Sequence, residues 1–455
     1  MEQGCACQHN PPDRRHQRGP TFCPKTRHNQ SMFNDPRHGL SSSARQSSPI
    51  PEPSFYGTTR GDPVNCRSRL ARVRLCWHRA ARRRCKECCV QFSLQVGARD
   101  FWEAARADIA AARRRVLIQA MTFEGDSAGL GVAEAICASP ASERRVLVDD
   151  YSRHVINDRF LALSSDPELA AEARATWDMF DAICASGAAL RITNPVGGNP
   201  LNYPLRNHRK LLVMDDAVWI GGINFSEHNF AWHDMMLRIE NAEVADWFAG
   251  EFDKDWRGKP SLASTEFEGL SLHGLDGANN AEGSLPLIDL FENARHSIEV
   301  ISAYPTFPFV SAMARAARRG VETTIYTPRP NNKPIIRDYL TGVARRSGIA
   351  LRLLPEMTHV KAVLIDGEAV VVGSSNFDFV AYRANSEYFA VLKRPEIIAD
   401  FETRLFAPAR SQSTEPAGDD HSPWRSLRAR VSLGLADILL HGLSHPVRIG
   451  EWRRP

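Results

Sequence analysis

"HVKAVLIDGEAVVVGSSNFD" (359–378) and "NHRKLLVMDDAVWIGGINFS" (207–226) hold one arrangement twice. Each runs from a histidine to a lysine two positions on, through an apolar run, an aspartate turn and a second apolar run, to a Gly-Gly or Gly-Ser pair and an asparagine. Each reads as strand, turn, strand, and the Asp-Gly at 366–367 is a hairpin signal. In an extended chain residues two apart share a face, so His208 stands beside Lys210 and His359 beside Lys361. Only 8 of the 57 basic residues are lysines. Two of them at the same place in two such motifs point to a shared cause.

Duplication extends outward from the motifs. "AARRRVLIQAMTF" (111–123) matches "NARHSIEVISAYP" (293–305), and "SGAALRI" (186–192) matches "SGIALRL" (347–353). Between them lie helical stretches such as "LAAEARATWDMFDAICASG" and "FVSAMARAARRG", the latter feeding the strand "VETTIYTP". Strands alternating with helices predict an α/β fold built twice. The expected organisation is a basic leader over 1–90, a first half over 91–262, a Gly-, Ser- and Asn-rich linker over 263–284, and a second half over 285–409. A further linker and an amphipathic helix fill 410–455.

Charge is divided unevenly. Residues 1–90 carry 17 Lys and Arg against 6 Asp and Glu, a net +11, which leaves 40 against 47, or −7, for the rest. An acidic body disfavours general nucleic-acid binding, which needs a cationic surface. The leader is Arg-, Ser- and Pro-rich and aperiodic, and reads as disordered. It also holds eight of the ten cysteines; "CKECC" (85–89) is half of a zinc knuckle with no second pair at ligand spacing. Cys137 and Cys184 read as small buried residues, not a disulfide framework, which suits a reducing, cytoplasmic setting. No run of 18 or more apolar residues is present.

If the halves pack about a pseudo-twofold axis, two imidazoles, two ammoniums and two carboxamides converge. That set suits a phosphodiester. Lys210, Lys361, Asn224 and Asn376 would hold the non-bridging oxygens. One histidine would attack phosphorus neutral while the other, protonated, releases the leaving oxygen. No metal or other cofactor is required. Asp234 in "WHDMMLRIE" and Glu387 in "NSEYFAVL", 26 and 28 residues after the histidines, are candidates to orient the imidazoles. Asp215 and Asp366 read as turn residues that cap the hairpins. Tyr203, Arg206 and Asn207, in the longer approach to His208, are candidate rim residues.

The two motifs resemble the paired H-x-K-x4-D signatures of the phospholipase D superfamily over residues 95 to about 410. "RNHRKLLVMDDAVWIGGIN", "WHD", "AARRGVE" and "GSSNFD" followed by "YRANSE" are most similar to bacterial cardiolipin synthases. The resemblance implies a duplicated fold, two mixed-sheet α/β layers in one chain, with a single site between the halves. It implies a phosphatidyl transferase or hydrolase acting on phospholipid headgroups through a phosphohistidine, with His208 as nucleophile. The expected molecule is a monomer with two half-sites. The first motif has one residue fewer between aspartate and glycine, which predicts a tighter turn. The membrane helices frequent in cardiolipin synthases have no counterpart here, so the expectation is peripheral binding to an anionic membrane. "WRSLRARVSLGLADILLHGLSHP" (424–446) puts Leu427, Val431, Leu435, Ile438 and Leu439 on one stripe beside Arg425, Arg428 and Arg430. It fits an interfacial helix and a core-packed helix equally. Two other functions stay open: a metal-independent nuclease, and a non-catalytic membrane-binding protein.

Overall fold

The computed structural model describes residues 90–197, 200–417, 422–443 and 448–455. The leader and its cysteines lie outside them. The first half contributes strands β1 (Gln91–Val96), β2 (Arg115–Ala120), β3 (Glu143–Asp149), β4 (Ala189–Thr193), β5 (Leu211–Met214), β6 (Ala217–Gly221) and β7 (Met235–Glu240). The second contributes β8 (Ala263–Phe267), β9 (Leu270–Asp276), β10 (Ser297–Ile301), β11 (Glu322–Pro328), β12 (Ala350–Leu354), β13 (Ala362–Ile365), β14 (Ala369–Gly373) and β15 (Ser386–Leu392). A last strand, β16 (Ile449–Glu451), comes from the tail.

The two eight-stranded sheets run β1-β7-β6-β5-β2-β3-β4-β16 and β8-β9-β15-β14-β13-β10-β11-β12. Strands β2, β3 and β4 are parallel, as are β10, β11 and β12, while the motif hairpins β5–β6 and β13–β14 are antiparallel. The duplicated α/β fold is therefore as expected. Helices α1 (Ala98–Ala111), α2 (Ser127–Ala138) and α3 (Pro167–Ala185) cover the outer face of the first sheet; α5 (Phe309–Arg318) and α6 (Pro334–Ser347) cover that of the second. Between the sheets, α4 (Ala242–Trp256) shares a core with both motif hairpins through Val244, Phe248 and Phe252.

Successive side chains of a strand point to opposite faces, and both faces are covered, so the hairpin strands are apolar throughout. In β13, Ala362 and Leu364 enter the central core while Val363 and Ile365 enter the outer one. Each fully buried Leu, Ile, Val or Phe contributes roughly 1.5–3 kcal/mol. The shared central core is what holds the halves together.

Three expectations need correction. The segment 263–284 is not a linker: β8 and β9 form a hairpin whose β9 pairs with β15 from Leu270↔Leu392 to Asp276↔Ser386. Its Gly and Asn content hid the alternation of buried Leu270 and Leu272 with more open neighbours. The tail does more than carry a helix, because β16 pairs with β4 at the edge of the first sheet. Cys184 is exposed and Cys137 only half-buried.

The tail helix, α8 (Pro423–His441), is buried on one face, but not through the predicted stripe. It packs on α6, buries Ser426, Ala429, Leu433 and Leu440, and leaves the predicted stripe exposed.

Candidate active site

Both histidines open into one cavity of about 510 Å³ whose wall draws on the two halves. Asn224 and Asn376 line it with them. His208–Lys210 and His359–Lys361 sit just ahead of β5 and β13, not within them. Backbone pairs across the halves hold these segments. His208 N donates to Ser386 O (3.0 Å), and His359 N donates to His233 O (2.7 Å).

The orienting carboxylates are exchanged between halves. His208 Nδ1 meets Glu387 Oε1 at 2.9 Å, and His359 Nδ1 meets Asp234 Oδ2 at 2.8 Å. With Nδ1 engaged, Nε2 of each ring is the nitrogen left for the cavity. The supports differ. Ser374 Oγ donates to Glu387 Oε2, whereas Asp234 Oδ1 accepts from Met235 N at 2.8 Å. Gly222, the counterpart of Ser374, has no room for a side chain: a Cβ there would stand 2.4 Å from Asp234 Oδ1. Gly222→Ala is therefore expected to displace Asp234 and to lower turnover by about a hundredfold, the size of loss that a misplacement of about 1 Å produces. Steady-state kinetics on the purified variant checks this, and near-normal kcat would show that the packing relaxes freely.

Lys210 and Lys361 are buried, 2% and 1% exposed, and do not themselves line the cavity. Lys210 Nζ donates to His208 O (2.9 Å), and Lys361 Nζ to His359 O. Burial pushes Lys210 down to about 7 and Lys361 to about 8. Burial, then the nearby ammoniums, holds both histidines well below 6.5. Burial also raises Asp234 to about 6 and Glu387 to about 7, against the pull of the lysines. Both imidazoles are thus held toward the neutral form.

Asp215 and Asp366 stand away from the cavity. Each has a positive φ (49° and 54°) and fastens its hairpin turn to the backbone entering the sheet. Asp215 accepts from the N–H groups of Arg113, Arg114 and Arg115, and Asp366 from those of Arg295, His296 and Ser297. Burial alone would raise both carboxyls, but these donors hold them below the ordinary value. The first turn spans two residues between strands and the second three, the tighter geometry expected.

Tyr203 and Arg206 line the cavity as expected; Asn207 is buried, its N–H donating to Asp149 Oδ2 (2.7 Å). Sequence reasoning missed Lys333, whose Nζ lies 4.4 Å from the Tyr304 ring at the cavity wall. It also missed Trp232, whose ring centre is 5.4 Å from that of His359. Neither belongs to a repeated motif, so spacing carried no signal for them.

The family model for cardiolipin synthase, PLD-like domain, matches residues 106–256 and 287–406. The chain belongs to this phospholipase D-like family. It is 25% identical over 381 residues to cardiolipin synthase A of Pseudomonas putida, covering 77% of this chain and 75% of that one. It is 23% identical over 330 residues to cardiolipin synthase B of Salmonella typhi (65% and 75%), and it spans about 55% of the cardiolipin synthase of Listeria monocytogenes. The fold is similar to that of the phosphatidylserine synthase of Haemophilus influenzae, with TM-score 0.58 and 18% identity over 77% of this chain and 95% of that one.

Proposed function

We propose that the chain transfers or hydrolyses the headgroup phosphodiester of a phospholipid, with phosphatidyl transfer to an alcohol as the cardiolipin synthase-like reaction. The observation that supports this most is the pair of imidazoles in one cavity, each held at Nδ1 by a carboxylate of the opposite half. In the first step His208 Nε2 attacks phosphorus, the bond to the leaving alkoxide breaks, and His359 Nε2 delivers its proton to that oxygen. In the second, the hydroxyl of an alcohol or water attacks, gives its proton to His359, and the phosphorus–nitrogen bond of His208 breaks.

His359 takes the acid role because the resemblance to phospholipase D-like enzymes gives the nucleophilic role to the first-motif histidine, His208. The centres of the Trp232 and Tyr304 rings lie 5.4 and 6.1 Å from that of His359 and wall it on the cavity side. Lys210, Lys361, Asn224 and Asn376 would hold the non-bridging oxygens. The bound phosphodiester brings the negative charge that lets one imidazole keep a proton.

The test is to incubate the purified chain with labelled phosphatidylglycerol and, separately, with DNA, both in EDTA. Lipid turnover without DNA cleavage supports the reading; DNA cleavage alone overturns it. The pH profile adds a second check. A nucleophile held below 6.5 is neutral through the neutral range, so kcat/KM is expected to fall on the acid side only below pH 6.5. The lysines, depressed to about 7 and 8, lose charge as pH rises through that window, so kcat/KM falls there as well. A rate that stays level to pH 10 would remove the lysines from phosphate binding.

A further inference from the structure

We propose that α8 is the surface by which the protein lies on an anionic lipid membrane, with the cavity placed beside it. The inference rests on the lipid reading of the cavity and adds the means of reaching a substrate held in a bilayer. Among the described residues no helix is long and apolar enough to cross a membrane.

Residues of an α-helix advance about 100° each. On α8 that places Ser426, Ala429, Leu433 and Leu440 on one side, all buried against the second half. Contact there is close: a Cβ on Gly342 of α6 would stand 2.6 Å from Ser426 Cβ. On the opposite side Trp424, Leu427, Val431, Leu435, Ile438 and Leu439 are 51–70% exposed. These six are half of the twelve large apolar side chains exposed among the described residues, gathered on one five-turn helix. Scattered exposed apolar residues are ordinary; a continuous stripe of this length is a contact surface.

Charge selects the occupant. Arg425, Arg428 and Arg430 are exposed at the first two turns of the helix. A second copy of the chain seated on this face would bring two such clusters together, whereas a bilayer containing acidic lipid offers apolar depth and negative charge at once.

The helix is also fastened to the active-site wall. Arg383, on the short helix α7 (Phe379–Arg383), pairs with Asp437 of α8 through Nε–Oδ1 (2.6 Å) and Nη2–Oδ2 (3.1 Å). Val380 of α7, one turn earlier, lines the cavity, as does Asp378, whose carboxylate caps α7 by accepting from Ala381 N at 2.7 Å. On the first-half side, Phe160 lines the cavity and is partly exposed, followed by Leu163 at 86%. Exposed apolar side chains thus stand at the first-half wall of the cavity, while α8 is tied to its second-half wall through Asp437.

The test uses the full chain in sedimentation with phosphatidylcholine vesicles, with and without phosphatidylglycerol, alongside the pair Leu435→Glu and Ile438→Glu. The wild type is expected to bind only the anionic vesicles and to bind them more weakly in high salt. The pair is expected to bind at least tenfold more weakly, with an unchanged melting temperature and unchanged turnover of a soluble short-chain phosphatidylglycerol. If the charged pair lowers the melting temperature, Leu427→Gln with Leu439→Gln makes the same measurement on the outward face. Unchanged vesicle binding in the variants overturns the proposal. So does a wild-type dimer in light scattering that the variants dissolve, which would assign the stripe to a second copy. Loss of vesicle binding in the variants, when the wild type turns over no lipid of any kind, would sustain the surface and sink the lipid chemistry of the cavity. Lipid turnover with vesicle binding that ignores the variants would do the reverse.

Discussion

His208→Ala and His359→Ala are each expected to lower turnover by about a thousandfold or more, because neither imidazole supplies both nucleophile and acid. Groups that act as a unit lose nearly all of their effect when either is removed. The geometry sharpens the expectation. His208 depends on Glu387 and His359 on Asp234, so each alanine variant also leaves a buried carboxylate of the other half without its imidazole. Single-turnover assays on the two purified variants measure the effect, and near-normal activity in either would overturn the shared site. Mixing the variants is informative as well. A site built within one chain stays inactive in the mixture, whereas recovery would mean that halves exchange between chains.

Arg209→Ala is expected to destabilise the fold by about 3–5 kcal/mol, the usual cost of leaving one member of a buried ion pair alone. Arg209 stands between His208 and Lys210 in sequence but takes no part in lining the cavity. Its side chain and that of Asp255 are both fully buried and paired. Its Nη2 donates to Leu275 O at 2.7 Å, and its guanidinium lies 4.2 Å from the centre of the Tyr388 ring. A residue of the first motif is thereby anchored to β9 and β15 of the second half. Urea denaturation of wild type and variant reads the difference, and partial recovery in Arg209→Met with Asp255→Asn would assign the loss to the orphaned charge. A change within about 0.5 kcal/mol, typical of surface substitutions, would show that the pair carries little.

Much of this was legible in the linear chain. The duplicated motifs, their hairpins and the matching strand openings are local patterns. Periodicity of two, an Asp-Gly turn and a repeated spacing survive without knowledge of the fold. The same local logic placed Asp215 and Asp366 at turns and found the apolar stripe of the tail helix, though not the face that packs. It failed where composition and role diverged. The β8–β9 hairpin looked like a linker because Gly, Ser and Asn masked a buried alternation, and β16 is too short to show one.

By itself, then, the sequence determined the α/β class, the duplication, the hairpins and the chemical types gathered for the site. Spacing along the chain reports which residues share a strand face or a helix stripe, since those relations arise from neighbouring backbone dihedrals. It carries no information about which sheet edges meet. Only the tertiary structure decided that His208 pairs with Glu387 across 179 residues and His359 with Asp234 across 125. It alone set Lys333, Tyr304 and Trp232 around the cavity, and it alone left the apolar stripe of α8 uncovered. The central core brings the two motif hairpins face to face, so each imidazole finds the carboxylate facing it from the other half before any partner in its own.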